Sequence, residues 1–141
     1  MNVTTNETAA RLRRAITRMN RKLRYSALSG VTPAQASILA SLDKLDSPSL
    51  GDLAIAEQVQ PPSITKLVKG MEELGLIQTL ADPVDRRSTR VRLTAHGRRE
   101  LNAIRQRKTE FLERKLLALS QSDQRKAEEL ASFLEVLLED E

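Results

Sequence analysis

A short amphipathic helix that opens with two prolines is the feature that most constrains how this chain folds. Proline suits the first turn of a helix, where its missing amide hydrogen would have no intrahelical acceptor, so Pro61 and Pro62 predict a helix start. Beyond them, apolar residues recur at helical spacing on one face, and polar or basic residues fill the other. The apolar residues are Ile64, Leu67, Val68 and Met71, and the others are Ser63, Thr65, Lys66 and Lys69. The apolar face predicts a core contact, whereas the polar face is compatible with a solvated surface or a binding surface.

A basic hairpin follows this helix. Residues 76–80 and 89–93 alternate in the manner of half-buried strands, and an Asp-Pro pair between them indicates a turn. Because a two-stranded hairpin is marginal in isolation, we expect it to pack against the helices that precede it. Its tip then projects Arg86 and Arg87 into solvent. Hydroxyls and lysines of the helix suit a DNA major groove, and a projecting arginine suits a minor groove or a phosphate, so the two elements together favour contact with duplex DNA.

Several motifs, in register over nearly the whole chain, resemble the signature of the MarR (multiple-antibiotic-resistance regulator) family of winged helix-turn-helix repressors. They are Leu74-Gly75-Leu76-Ile77, Asp82-Pro83, Asp85-Arg86-Arg87 and Leu93-Thr94-Ala95-His96-Gly97, together with Leu53-Ala54 and Thr65-Lys66-Leu67-Val68. Two positions depart from the pattern. Thr79 stands where family members usually carry arginine, and Gln60 stands where they carry serine before the reading helix.

The resemblance implies a mainly α-helical chain with a small β-hairpin, organised as one MarR-like domain over residues 1–141. Residues 32–94 would form the winged helix-turn-helix part that binds DNA, and helices at 6–28 and 95–139 would form a dimer. The apolar residues of the terminal helices cover more than one narrow face, which a small winged domain cannot bury by itself. We therefore expect them to pack against a second copy of the chain; a monomeric helical bundle is the alternative.

Two sets of side chains are predicted to contact DNA. The reading helix would place five in the major groove, of which Thr65 and Lys66 match the family's reading helix. These five are Pro62, Ser63, Thr65, Lys66 and Lys69. The hairpin would contribute Asp85, Arg86, Arg87 and Arg90. We expect Asp85 to orient one arginine by a charge-assisted hydrogen bond, which leaves the other free to enter a minor groove or clamp a phosphate. Arg87 is the arginine that we expect to enter the minor groove.

The first helix carries seven basic residues between positions 11 and 24 and no acidic residue in that stretch. This basic surface is compatible with simple solvation and with a position beside DNA or a bound anion. The family's effector pocket lies where the winged part meets the dimerisation helices, and Arg18, Arg21 and Tyr25 are the candidates to line it here. A contact in the apolar core is the alternative for Tyr25.

Composition excludes several other classes of protein. The chain has no cysteine and one histidine, His96, so we expect no disulfide, no transition-metal site and no cofactor. Potential acid, base and nucleophilic groups do not form a catalytic arrangement, so an enzyme is not predicted. No apolar run approaches the roughly 20 residues of a membrane span, and residues 1–8 lack the apolar stretch of a secretory signal, so we expect a soluble cytoplasmic protein. Residues 1–119 carry 21 basic and 12 acidic side chains, which suits a polyanionic partner.

Together these features predict a sequence-specific regulator of transcription that binds double-stranded DNA. We expect a homodimeric repressor on a pseudo-palindromic promoter site whose half-sites lie about one helical turn apart. A small anionic or aromatic ligand would release or modulate it. The alternatives are a protein-interaction module, an architectural dimer that binds DNA without sequence preference, and an activator.

Overall fold

The computed structural model describes residues 2–27 and 30–139, and within these ranges it contains six helices and one antiparallel two-stranded sheet. The helices are α1 (Thr5–Ala27), α2 (Pro33–Lys44), α3 (Leu50–Glu57), α4 (Pro61–Glu73), α5 (Ala95–Leu117) and α6 (Gln121–Leu138). The strands are β1 (Ile77–Ala81) and β2 (Thr89–Leu93). The mainly helical class with one hairpin is thus confirmed. Leu28, the predicted end of the first helix, lies outside the described residues.

The chain divides into two compact units. The winged unit comprises residues 27–106, and the helical unit comprises residues 1–26 and 107–141. The first part of α5 belongs to the winged unit rather than to the terminal helices, because Leu101 and Ile104 are buried in its core. The division of the chain into a DNA-binding part and dimerisation helices stays a prediction.

The winged unit has one closed apolar core to which α2, α3, α4, α5 and both strands contribute. The buried residues are Ala27, Ile38, Leu39, Leu42, Leu53, Ala54, Ile64, Val68, Met71, Leu76, Ile77, Val91, Leu101 and Ile104. A polar clamp joins two of the helices, since the hydroxyls of Ser37 and Ser41 donate hydrogen bonds to the Glu57 carboxylate at 2.8 and 2.5 Å. Apolar burial and this clamp hold α3 against α2. Because α4 follows α3 in the chain, this packing also sets the position of α4.

The hairpin is anchored to this core on one side. β1 and β2 pair in a register that sets Ile77 opposite Leu93 and Thr79 opposite Val91. Ile77 and Val91 are buried, so their face of the sheet packs on the helices as predicted. The loop before α3 adds a further contact, because the Val91 amide donates to the Pro48 carbonyl at 2.9 Å.

The start of α5 passes the residue just before β1 at a point where only glycine fits. A Cβ atom at Gly97 would lie 1.9 Å from the Leu76 carbonyl oxygen and 2.9 Å from its carbonyl carbon. Thr94 secures this crossing, since its hydroxyl donates to the Gly75 carbonyl at 2.6 Å and accepts from the Gly97 amide at 3.0 Å. The first turn of α5 is thereby held against the backbone that leads into the hairpin.

The helical unit differs in that none of its described residues, 2–26 and 107–139, is buried. Its large apolar side chains are half-buried or exposed instead. The exposed ones include Ile16, Met19, Leu117, Leu119, Leu130, Phe133, Val136, Leu137 and Leu138. Such a concentration of exposed apolar side chains is unusual for a stable monomer.

Candidate nucleic-acid interface

Helix α4 has the two faces that the sequence predicts. Ile64, Val68 and Met71 are buried at 1%, 4% and 0% exposure. All five predicted contact residues of this helix are exposed: Pro62, Ser63, Thr65, Lys66 and Lys69. The helix therefore presents a continuous polar and cationic strip on the side opposite the core.

The first turn of α4 offers no free backbone donors for a phosphate. Pro61 and Pro62 lack amide hydrogens, and the amides of Ser63 and Ile64 both donate to the Gln60 carbonyl, at 2.9 and 3.2 Å. The Gln60 side chain makes no capping hydrogen bond. Recognition by this end of the helix must therefore come from side chains rather than from the backbone amides that bind anions at many helix starts.

The tight turn before α4 depends on a residue that sequence analysis did not single out. Gln58 adopts a left-handed conformation with φ of 55° at the end of α3. Its amide donates to the Ile55 carbonyl at 3.1 Å, and the Val59 amide donates to the Ala54 carbonyl at 3.0 Å. Glutamine carries no sequence signal for this conformation, which glycine or asparagine usually supplies.

The other end of α4 is tied to β1. The Glu72 carboxylate accepts hydrogen bonds from both the amide and the hydroxyl of Thr79, the first at 3.1 Å. Thr79, which departs from the pattern of the family, is thus a partner of Glu72 through both its backbone and its side chain. The contact couples α4 to the first strand of the hairpin.

The turn at the hairpin tip is organised by Asp82. Among residues 2–27 and 30–139 it is the one charged residue in the buried interior, at 6% exposure. Its Oδ1 accepts from the amides of Val84 and Asp85 at 2.8 and 3.1 Å, and its Oδ2 accepts from Arg90 Nε at 2.7 Å. These amides, and then the Arg90 guanidinium, lower the pKa of Asp82 to about 2, so the carboxylate is ionised at neutral pH.

Three side chains predicted for DNA project from this turn: Asp85, Arg86 and Arg87 are all exposed. Asp85 Oδ1 accepts from the Arg87 amide at 3.1 Å and from Arg87 Nε at 3.3 Å. The expected contact of Asp85 with one arginine is therefore present, but it involves Arg87, the arginine that was expected to be free, because the Arg87 amide also lies within reach of the same carboxylate oxygen. The Arg87 side chain nevertheless remains 94% exposed, so the contact with Asp85 orients this side chain and leaves it accessible.

Arg90 differs from these tip residues because its guanidinium bonds to the buried Asp82 and to a second loop. Besides Asp82, it donates from a terminal nitrogen to the Ser47 carbonyl at 3.3 Å, and its side chain is only 37% exposed. A direct contact between Arg90 and DNA stays a prediction, but the structure gives this residue a second role at the base of the hairpin tip.

The candidate effector residues lie apart from this surface in the chain, on α1 in the helical unit. Arg18, Arg21 and Tyr25 are all exposed in the single chain. Tyr25 is 72% exposed, so the alternative of a contact in the protomer's apolar core is wrong. The helical wheel explains this, because Tyr25 falls on the basic face of α1 and not on the stripe that contains Ile16 and Met19.

Two other kinds of feature are absent from the described ranges. Over residues 2–27 and 30–139, histidine and carboxylate side chains form no group that could hold a metal ion. Over the same ranges, every helix is too short or too polar to cross a bilayer. His96 is an exposed residue in the first turn of α5.

Comparisons with known proteins agree with this architecture. A sequence model of the MarR family matches residues 31–89. The chain is 33% identical over 118 residues to an uncharacterized HTH-type transcriptional regulator of Mycobacterium leprae, covering 83% of this chain and 82% of that protein. It is 37% identical over 68 residues to the HTH-type transcriptional repressor MdtR of Bacillus subtilis, covering 48% and 44%.

Among solved structures, a Pseudomonas aeruginosa protein described as a transcriptional regulator has a TM-score of 0.80 and 30% identity, covering 97% of this chain and 99% of that one. The relatives are regulators of transcription, which confirms the prediction that the chain is not an enzyme. The chain belongs to the MarR family of DNA-binding transcriptional regulators.

Proposed function

We propose that the protein is a homodimeric repressor that recognises a pseudo-palindromic promoter site and is released from it by a small ligand. The observation that carries this proposal is the division between the units. The winged unit has a closed core and exposes a polar, cationic surface, whereas the helical unit exposes apolar side chains that one chain leaves uncovered. The polar, cationic surface of the winged unit suits contact with DNA, and the exposed apolar side chains of the helical unit suit contact with another copy of the chain.

In the proposed complex, α4 enters the major groove and the hairpin tip reaches the neighbouring minor groove. Ser63 and Thr65 read base edges, Lys66 and Lys69 contact phosphate or guanine, and Pro62 packs against the groove wall. Arg86 and Arg87 at the tip contact the minor groove or its phosphates, with Asp85 holding Arg87 in direction. Arg90 adds positive charge behind the tip.

The homodimer is supported by the exposed residues of α6. Phe133, Leu137 and Leu138 are 52%, 57% and 66% exposed, although aromatic and aliphatic side chains of this size stabilise a protein most when buried. A two-fold pair would bury them and would present two copies of α4. Half-sites about one helical turn apart then follow from the spacing that two major-groove contacts on one side of a duplex require.

Repression is supported by the similarity to MdtR, which is named a repressor. A dimer bound over a promoter, in the cytoplasm where transcription takes place, would block access of RNA polymerase. Arg18, Arg21 and Tyr25 are the proposed contacts for a small anionic or aromatic ligand. Such a ligand lowers DNA affinity only if it binds more tightly to the conformation that does not fit the operator.

The test begins with selection of duplexes from a random pool by the purified wild-type protein. Affinity for the selected duplex and for a scrambled duplex is then measured over a range of salt concentrations. Phosphate contacts weaken with salt on both duplexes, whereas base recognition leaves a preference of about a thousandfold or more for the selected one. Equal affinity for both would favour an architectural role, and no binding at low salt would favour a protein-interaction module.

The wing is tested separately with Arg87→Ala. If Arg87 contacts a narrow minor groove or a base edge, the variant should lose about 1 to 3 kcal/mol of binding free energy. Full affinity of this variant would remove the wing from the proposed interface while leaving the α4 contact intact. Repression itself is tested by transcription from a promoter that carries the selected site; increased transcription would identify an activator.

A further inference from the structure

The base of the hairpin tip contains a polar connection that the proposed DNA contacts do not explain. It joins Asp82, Arg90 and the Ser47 carbonyl, and we call it the wing brace. Asp82 receives three hydrogen bonds, two from amides inside the tip and one from Arg90. Arg90 in turn donates to Ser47, which is 43 residues away in the chain.

The far end of the brace is a strained loop. Ser47 has φ of 44°, a left-handed conformation that residues other than glycine rarely adopt. The loop that follows is bound to β2 as well, since the Pro48 carbonyl accepts from the Val91 amide at 2.9 Å and Ser49 forms an isolated bridge with Arg90. Ser49 also caps α3 by accepting from the Asp52 amide at 3.0 Å. The loop therefore offers a fixed point to which the hairpin tip can be anchored.

We propose that Arg90 is a positioning residue for DNA binding, which acts through Asp82 to hold the hairpin tip in the orientation that presents Arg86 and Arg87. The planar guanidinium is suited to this task because it donates in two directions, to a carboxylate and to a carbonyl. Asp82 links this anchor to the turn, because it also accepts hydrogen bonds from the backbone amides of Val84 and Asp85. This inference deepens the proposed function and rests on the wing contact in it.

The charges of the brace allow positioning to be separated from simple attraction to DNA. Asp82→Asn removes a negative charge close to the proposed interface, so attraction alone predicts tighter binding to DNA. Positioning predicts the opposite, because an amide is a weaker acceptor for two backbone amides and a guanidinium. Arg90→Lys keeps the positive charge, which preserves a phosphate contact but cannot reproduce both hydrogen bonds of the brace.

A matched control lies on the same strand. Among the described residues, the Arg92 guanidinium donates hydrogen bonds only to the Gln78 side chain, at 3.2 and 3.1 Å. Arg92→Lys therefore makes the same chemical change as Arg90→Lys, but outside the brace. Affinities for the duplex selected by the wild-type protein would be measured for all three variants. We expect Asp82→Asn and Arg90→Lys to bind about tenfold more weakly, and Arg92→Lys to bind within about twofold of the wild type.

Two further readouts distinguish positioning from general loss of stability. In a protein that already carries Arg86→Ala and Arg87→Ala, neither Asp82→Asn nor Arg90→Lys should weaken DNA binding further, because the two arginine side chains that the brace positions are gone. In the free protein, Arg90→Lys should accelerate hydrogen exchange of the Val84 and Asp85 amides and leave the amides of α4 unchanged. Wild-type exchange at these two amides would overturn the proposal even if the variant bound DNA poorly.

The remaining outcomes separate this inference from the function on which it rests. If Arg87→Ala weakens binding while Arg90→Lys and Asp82→Asn do not, the brace has no positioning role and the proposed wing contact stands. Tighter binding by Asp82→Asn would likewise overturn positioning. If Arg87→Ala and the double alanine variant both bind like the wild type, the wing contact fails and the positioning role fails with it.

Discussion

The two units of this chain solve the problem of apolar surface in different ways. The winged unit buries fourteen apolar residues in a single core and leaves few large apolar side chains exposed. The helical unit is made of long helices that carry many apolar residues, but none of its described residues is buried. The core of the winged unit is thus closed within one chain, whereas the helical unit exposes apolar surface that we propose a second copy of the chain covers.

This difference assigns separate tasks to the two units. A closed core fixes the backbone from which α4 and the hairpin present their side chains, which is what recognition of a rigid duplex requires. In the proposed dimer, the open apolar surface of the helical unit supplies the free energy for association instead. Substitutions in the two units should therefore change different measured quantities. Those in the helical unit should change the dimer dissociation constant, and those in the winged unit should change the intrinsic stability of the fold.

The largest effect is expected from removal of apolar side chains of α6. Phe133→Lys/Leu137→Glu leaves the net charge unchanged and places the new lysine four residues after Glu129, an arrangement that supports a helix. Each lost contact is expected to cost about 2 kcal/mol or more for a buried interface residue, so the dimer should dissociate with a constant at least about a thousandfold higher. Analytical ultracentrifugation measures this directly.

The control for that experiment is an exposed apolar residue of the other unit. Ile55 lies on α3 and is 78% exposed, so Ile55→Asp also removes exposed apolar surface. The account predicts an unchanged dimer dissociation constant for this variant. A wild-type constant for the α6 variant, or a large increase for Ile55→Asp, would place the interface elsewhere.

An intermediate effect is expected inside the winged unit from Gly97→Ala. The added Cβ would collide with the backbone carbonyl of Leu76, which has no flexible side-chain end that could move aside. We expect the free energy of unfolding to fall by about 3 kcal/mol, the upper end of the usual cost of overpacking. Urea denaturation at a fixed protein concentration is the measurement.

Gly70→Ala is the matched control, because it makes the same change within a helix. A Cβ at Gly70 meets no atom within 4 Å, and alanine is the better helix former. This variant should be more stable than the wild type by up to about 1 kcal/mol. Equal responses of the two glycines would contradict the close approach of Gly97 to the Leu76 backbone.

The smallest effect concerns the pH dependence of the wing turn. The folded protein lowers the pKa of Asp82 from 3.8 to about 2, so ionisation of this carboxylate stabilises the fold above its unfolded pKa. That contribution should be lost as the pH falls from 3.8 towards 2. The free energy of unfolding of the wild type should therefore decline more steeply over this range than that of Asp82→Asn; parallel curves would show that the carboxylate is not stabilised in the fold.

Periodic signals in the sequence predicted most of the architecture. The two prolines before Ser63 and the spacing of Ile64 and Val68 placed α4 and its buried face correctly, because both depend on local chain geometry. A contact of Asp85 with one of the two arginines was also foreseeable, since these residues are close in sequence. Local rules did not suffice everywhere, because the left-handed turn at Gln58 is local too and glutamine carries no signal for it.

The contacts that sequence reasoning missed join distant residues. Arg90 looked like another cation of the wing, but Ser47 and Asp82 give it partners that only the folded loop brings close. Gly97 likewise had the pattern of an ordinary helix start, and only its close approach to the Leu76 backbone shows why a side chain is excluded. Tyr25 illustrates a third case, in which an aromatic residue suggested a core contact and the face of α1 placed it in solvent.

The central claim is that the winged unit reads DNA and that the helical unit requires a second copy. Sedimentation equilibrium of the wild-type protein, alone and with the selected duplex, tests both parts in one measurement. The account predicts a mass of two chains in the absence of DNA and a complex of two chains with one duplex. A stable single chain at micromolar concentration that binds the duplex as a monomer would contradict it.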